Sequence, residues 1–136
     1  METIVVGFID SPTGQAALDA AVIEARLRNA HLSVVTSARG GTHEHAEEAT
    51  SAEETLERVA ADLVEMGIDH EIHHLVRGMS PSEDLTEHAS RMGASLIVIG
   101  YRRRTPAGKF ILGSDSRDVL LSAPCPVLCV RADDEL

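Results

Sequence analysis

Apolar and polar positions alternate between two regimes along the chain. Short continuous apolar runs are separated by longer stretches in which apolar residues recur every three or four positions. Thr3-Ile-Val-Val-Gly-Phe-Ile9 is an unbroken apolar run, the pattern of a strand buried on both faces of a parallel sheet. Leu18, Ala21, Val22 and Ala25 then fall at helical spacing, opened by Ser11-Pro12 as N-cap and first helical residue and closed by Asn29. His31–Ser37 reads as the second strand. Leu56, Val59, Ala60, Leu63 and Val64 mark a second helix, with Ser51 and Glu54 as a capping box at its start and Gly67 at its end. Asp69–Val76 is a more polar strand, which suits a sheet edge. Ser80-Pro81-Ser82-Glu83 starts a third helix with Leu85, His88, Ala89 and Met92 on its buried side and Gly93 after it. Leu96–Ile99 is a fourth strand, Ser114 to about Ser122 a fourth helix, and Pro124–Val130 a fifth strand whose two prolines favour an edge.

Strand and helix alternate throughout, which predicts one α/β domain over 1–136: a doubly wound, five-stranded parallel sheet with helices on both faces. Residues 38–51 read as a mobile loop and 132–136 as a frayed acidic tail. With strand order 3-2-1-4-5, a ligand crevice is expected beyond the carboxyl ends of strands one and four, where the order reverses. That places Gly7, Phe8, Ile9 and Asp10 opposite the segment from Gly100 to Ser114.

Composition adds to this picture at a few points. The 136 residues carry a formal net charge of -10, which argues against general binding to nucleic acid or to an anionic membrane surface. No apolar run reaches the length of a membrane span, and no export signal is visible, so a cytoplasmic location is expected. Cys125 and Cys129 are four apart in a strand, poorly placed to bridge, and read as buried thiols of a reducing compartment. His43 and His45 read as solvated loop residues. His70 and His74 fall on one strand face and His73 on the other, so the three do not make a metal site; no structural metal is expected. His88 reads as a satisfied, partly buried histidine.

Against the acidic background, Gly100-Tyr-Arg-Arg-Arg-Thr-Pro-Ala-Gly-Lys-Phe-Ile-Leu-Gly-Ser114 holds four cations, Arg102, Arg103, Arg104 and Lys109, and no acid. A glycine at a strand end admits a ligand close to the backbone. A Gly-Ser pair at a helix start offers backbone N–H groups, a hydroxyl and the positive end of the helix dipole to an anion. The segment therefore reads as a phosphate-binding loop. It is not a P-loop, because Gly108-Lys109 lacks both the earlier glycine and the following hydroxyl.

With these residues in view, the chain resembles the universal stress protein family over essentially its whole length. The family's nucleotide signature is glycine, two residues, glycine, nine residues, glycine, then serine or threonine. Gly100, Gly113 and Ser114 match it at the right separations, and Arg103 stands at the second glycine. The ending Ser122-Ala-Pro-Cys-Pro-Val-Leu-Cys-Val130 also looks like the family's last helix-to-strand passage. The resemblance implies that Gly7 to Ile9 and the backbone near Ser37 border adenine and ribose. It implies that Gly100, Gly113, Ser114 and Asp115 border the phosphates of ATP or AMP, with Ile99 and Gly108 in the same nucleotide site and Mg2+ as a companion of ATP. The first strand of nucleotide-binding members ends in an aspartate; here that position is Ile9, and Asp10 follows it.

Three functions follow. The first is a stress-response regulator that binds an adenine nucleotide. The second is a member without nucleotide, acting as a dimeric module for unidentified protein partners. A slow ATPase is the weakest reading, since no base, nucleophile or metal site is visible and no catalytic residue is assigned. The resemblance further implies a homodimer through the last strand, at Val127, Leu128, Cys129 and Val130.

Overall fold

The computed structural model describes residues 1–37, 44–75, 80–101 and 114–132. Five strands alternate with four helices: β1 Thr3–Gly7, α1 Pro12–Arg28, β2 His31–Ser37, α2 Glu44–Glu65, β3 His70–Leu75, α3 Pro81–Met92, β4 Leu96–Tyr101, α4 Ser114–Ser122 and β5 Val127–Arg131. The sheet is parallel throughout, in the order β3-β2-β1-β4-β5. The polar β3 and the proline-preceded β5 occupy its two edges.

Period-two alternation sends neighbouring strand residues to opposite faces, and each face has its own helices. Ile4, Val6, Leu32, Val34 and Val98 pack under α1 and α2. Val5, Val35, Ile97 and Ile99 pack under α3 and α4. On the first face Ala17, Ala21 and Ala25 are buried, so α1 meets the sheet through methyl groups and lies close to it. Ile4, Leu32, Leu63 and Ile97 are fully buried, each worth about 1.5–3 kcal/mol over its exposed state.

The helix ends follow local chemistry. Ser11 caps α1 by accepting from Gly14 N at 3.2 Å, and Asn29 closes it in the left-handed conformation at φ 50°. Ser80 accepts from Glu83 N at 3.3 Å at the start of α3, and Gly93 ends that helix, also left-handed.

Three expectations change. Helix α2 begins at Glu44, so 44–51 is helical, and Ser51 and Glu54 lie inside the helix instead of capping it; 38–43 falls outside the described residues. The polar run from Glu44 lacks an apolar stripe to announce a helix. Val64, assigned to the buried stripe, is 70% exposed, because the stripe on α2 is carried by Leu56, Val59 and Leu63. Cys125 precedes β5, and both cysteines are free and half-buried rather than fully enclosed. Burial still pushes both thiols above their ordinary value.

Candidate functional site

Strand order reverses between β1 and β4, because the chain leaves β1 toward β2 and returns to pair β4 on the other side. The connections diverge there, and a cleft opens at the carboxyl ends of the two strands. It encloses about 210 Å³. Gly7, Phe8 and Ile9 at the end of β1 and Ile99 and Gly100 at the end of β4 form its floor, with Val35 from β2 beside them. The first turns of three helices border it: Thr13 and Gly14 of α1, Pro81 and Ser82 of α3, and Asp115 and Ser116 of α4. Leu85 and Val119 complete an apolar wall.

Two glycines make this arrangement possible. A Cβ on Gly100 would collide with the Thr13 carbonyl oxygen, and one on Gly14 would collide with the Ile9 carbonyl oxygen. The β1 end, the first turn of α1 and the β4 end are thus pressed together backbone to backbone. This revises the reading of Gly100. Its missing side chain makes room for α1, and the strand end borders the cleft because the helix start has been drawn in against it.

Chemically, the cleft pairs an apolar wall with the positive ends of three helix dipoles. Ser11 and Ser80 each occupy one first-turn donor of α1 and α3. Helix α4 opens at Ser114, the residue that follows Gly113 in the sequence motif. Asp115, exposed in the first turn of α4, is the acid on the cleft's rim among the described residues.

Of the residues singled out in the sequence, the structure brings Gly7, Phe8, Ile9, Ile99, Gly100 and Asp115 to this cleft. Ile9 is 55% exposed there. Asp10 does not line it: its Oδ2 accepts a hydrogen bond from Thr55 Oγ1 of α2 at 3.2 Å. Ser37 ends β2 and Ser114 begins α4. Arg102, Arg103, Arg104, Gly108, Lys109 and Gly113 lie outside the described residues. Val127, Leu128, Cys129 and Val130 form β5, half-buried at the sheet edge, with Leu128 and Val130 packed on one core and Val127 and Cys129 on the other.

Sequence reasoning missed Thr13, Gly14, Val35, Pro81, Ser82, Leu85, Ser116 and Val119. Gly14 carried a usable signal, a glycine in the first turn of a well-capped helix. The α3 and α4 residues come from helices laid across the far face of the sheet, and the helix-start and buried-stripe signals of α3 do not mark its residues as cleft residues.

Known proteins resemble this chain in sequence and in fold. The universal stress protein family model matches residues 1–131. A universal stress protein of Mycolicibacterium smegmatis is 38% identical over 94% of this chain and 96% of its own length. The solved universal stress protein of Archaeoglobus fulgidus superposes with a TM-score of 0.84 at 40% identity, covering 96% of this chain and 98% of that one. A structure of the universal stress protein from A. fulgidus in complex with dAMP superposes with a TM-score of 0.76 at 34% identity, over 96% of this chain and 98% of that one. With family match, relatives and strand order in agreement, the chain belongs to the universal stress protein family.

Proposed function

We propose that this chain binds an adenine nucleotide, AMP or ATP, in the cleft between β1 and β4 and works as a regulatory protein of the stress response. The observation that carries the reading is the coincidence of an apolar, helix-dipole-bordered cleft at the strand-order reversal with a relative at 34% identity that was solved with dAMP. Phe8, Ile9, Val35 and Leu85 suit the flat face of a base. The start of α4, with Gly113-Ser114 before Asp115, suits the phosphates, and Arg102 to Arg104 supply cations in the same sequence segment. Asp115 opposes an anion, and Mg2+ accompanying ATP would offset it. Among the described residues no base or nucleophile is set up on the cleft, and the proposal is one of binding.

The test is calorimetric titration of AMP and ATP into the wild type and Ser116→Glu. A glutamate in the first turn of α4 suits the helix dipole, so the fold is retained while charge and bulk enter the cleft. Saturable binding that this substitution weakens at least tenfold is expected. Absence of heat up to millimolar nucleotide would overturn the proposal.

A second reading is supported by the position of Asp10. Its carboxylate is engaged by Thr55 and the cleft has Ile9 where nucleotide-binding members are expected to carry an aspartate. On this reading the protein acts through a homodimer, with the outer backbone edge of β5 pairing across a two-fold axis. Sedimentation equilibrium decides it: a monomer mass at micromolar concentration would remove the dimer.

A further inference from the structure

We propose that Glu71, His73 and His88 form a binding site for a divalent transition-metal ion of the Zn2+ type, separate from the cleft. The sheet register creates it. Ser33 of β2 stands beside Glu71 of β3, and Val35 beside His73, so Glu71 and His73 share the face covered by α3. From the buried side of α3, flanked by Leu85 and Ala89, comes His88, 4% exposed. One ligand atom from each of the three lies within 4.8 Å of the others, and the rings of His73 and His88 have centroids 4.5 Å apart.

Donor chemistry and satisfaction both favour a cation. Two imidazoles and a carboxylate are the ligand class of Zn2+ and its neighbours, not of Mg2+ or Ca2+, which take oxygen. Glu71 Oε1 and His73 Nε2 are 3.1 Å apart, yet both atoms are buried without an aligned hydrogen-bond partner. A metal ion between them would satisfy both at once. Tetrahedral ligation at about 2.0–2.1 Å needs donors roughly 3.4 Å apart. The existing separations close to that by side-chain rotation, since Glu71 and His73 sit on an edge strand and are each 34% exposed. Ser33 Oγ, 2.9 Å from His88 Nε2, is placed to pass from the ring to a metal-bound water in the fourth position. His31 Nε2, 3.6 Å from Glu71 Oε1 and tied through Nδ1 to Asp69 at 3.0 Å, orients the carboxylate from the other side.

None of these residues lines the nucleotide cleft, so the site stands or falls independently of nucleotide binding. The competing account is a metal-free ion-pair network around Glu71. To separate them, Zn2+ alone is titrated into the full chain in competition with a chromophoric chelator, and Co2+ is followed by its visible absorption. One equivalent is expected in the wild type, weakened more than about tenfold in Glu71→Gln and in His73→Asn and unchanged in His70→Asn, whose Nδ1 contacts the Ile68 carbonyl away from the cluster. In the unaltered protein, Zn2+ should shift the imidazole 1H–15N signals of His73 and His88. No binding in competition, binding indifferent to both variants, or shifts confined to other histidines would overturn the site.

Discussion

Replacing Gly100 by alanine tests the backbone contact on which the cleft is built. The added Cβ would lie against the Thr13 carbonyl oxygen, 2.8 Å from the Thr13 carbonyl carbon and 2.9 Å from its Cγ2. Backbone atoms cannot swing away as a flexible side chain can, so α1 must lift from the end of β4. Overpacking of this kind costs about 1–3 kcal/mol, sometimes more, and the contact lies at the tight end. We expect a loss of about 3 kcal/mol, or roughly 9–15 °C in Tm for a chain of this size. Gly67→Ala is the matched control. Gly67 has φ +71° with nothing within 4 Å of its missing Cβ, so only the left-handed backbone penalty of about 1–2 kcal/mol applies. Urea unfolding of both variants, with the slope compared to wild type, measures the difference. If Gly100→Ala is no less stable than Gly67→Ala, the claim that α1 is pressed onto β4 is wrong.

Leu63→Ala should cost about 2–5 kcal/mol in urea unfolding, because Leu63 is fully buried between α2 and the sheet; a loss under 1 kcal/mol would mean α2 packs elsewhere. Burial raises the Glu71 carboxyl, but polar contacts with His73 and Ser33 and the charges of His73 and His31 outweigh it and hold it below its ordinary 4.5. A depressed carboxylate stabilises the fold above its ordinary range and loses that contribution as pH falls through the folded value. Glu71→Gln should therefore reduce stability by up to about 1 kcal/mol at pH ~5–6, where carboxylate and imidazole can both carry charge, the gap closing below pH ~4, and a gap that keeps widening below pH ~4 would contradict the sign. Cys125 and Cys129 are pushed above their ordinary 9.0 by burial alone, so iodoacetamide should modify the native thiols more slowly than those of the urea-unfolded chain at the same pH. Equal rates would show that neither thiol is shielded.

Most of the fold was legible because each element announces itself locally. Continuous runs such as Thr3–Gly7 suit strands buried on both faces, as in a parallel sheet flanked by alternating helices, and Ser11, Asn29, Ser80 and Gly93 mark helix ends by hydrogen-bond chemistry that needs no tertiary context. The start of α2 was not legible, since its first turns carry no apolar stripe. Half of the cleft followed from topology alone: once the strand order is known, the ends of β1 and β4 must meet. Its other half, Ser82, Leu85 and Val119, depends on how α3 and α4 lie on the sheet, which no spacing in the sequence encodes. Asp10 shows the same limit at one residue. Adjacent in sequence to the cleft's floor, it turns instead to Thr55, 45 positions further on. The Glu71–His73–His88 cluster was hidden for a related reason. Alternation correctly separates His73 from His70 and His74, but the partner that completes the group arrives on a helix.

The proposed binding of an adenine nucleotide in the cleft between β1 and β4 can be read residue by residue. Amide 1H–15N shift mapping during titration with AMP tests it most directly. Saturable shifts are expected at Gly7, Phe8, Ile9, Val35, Gly100 and Ser116, with β3 and the carboxyl-terminal half of α1 left unmoved. Saturable shifts centred anywhere else, or none at millimolar AMP and ATP, would contradict it.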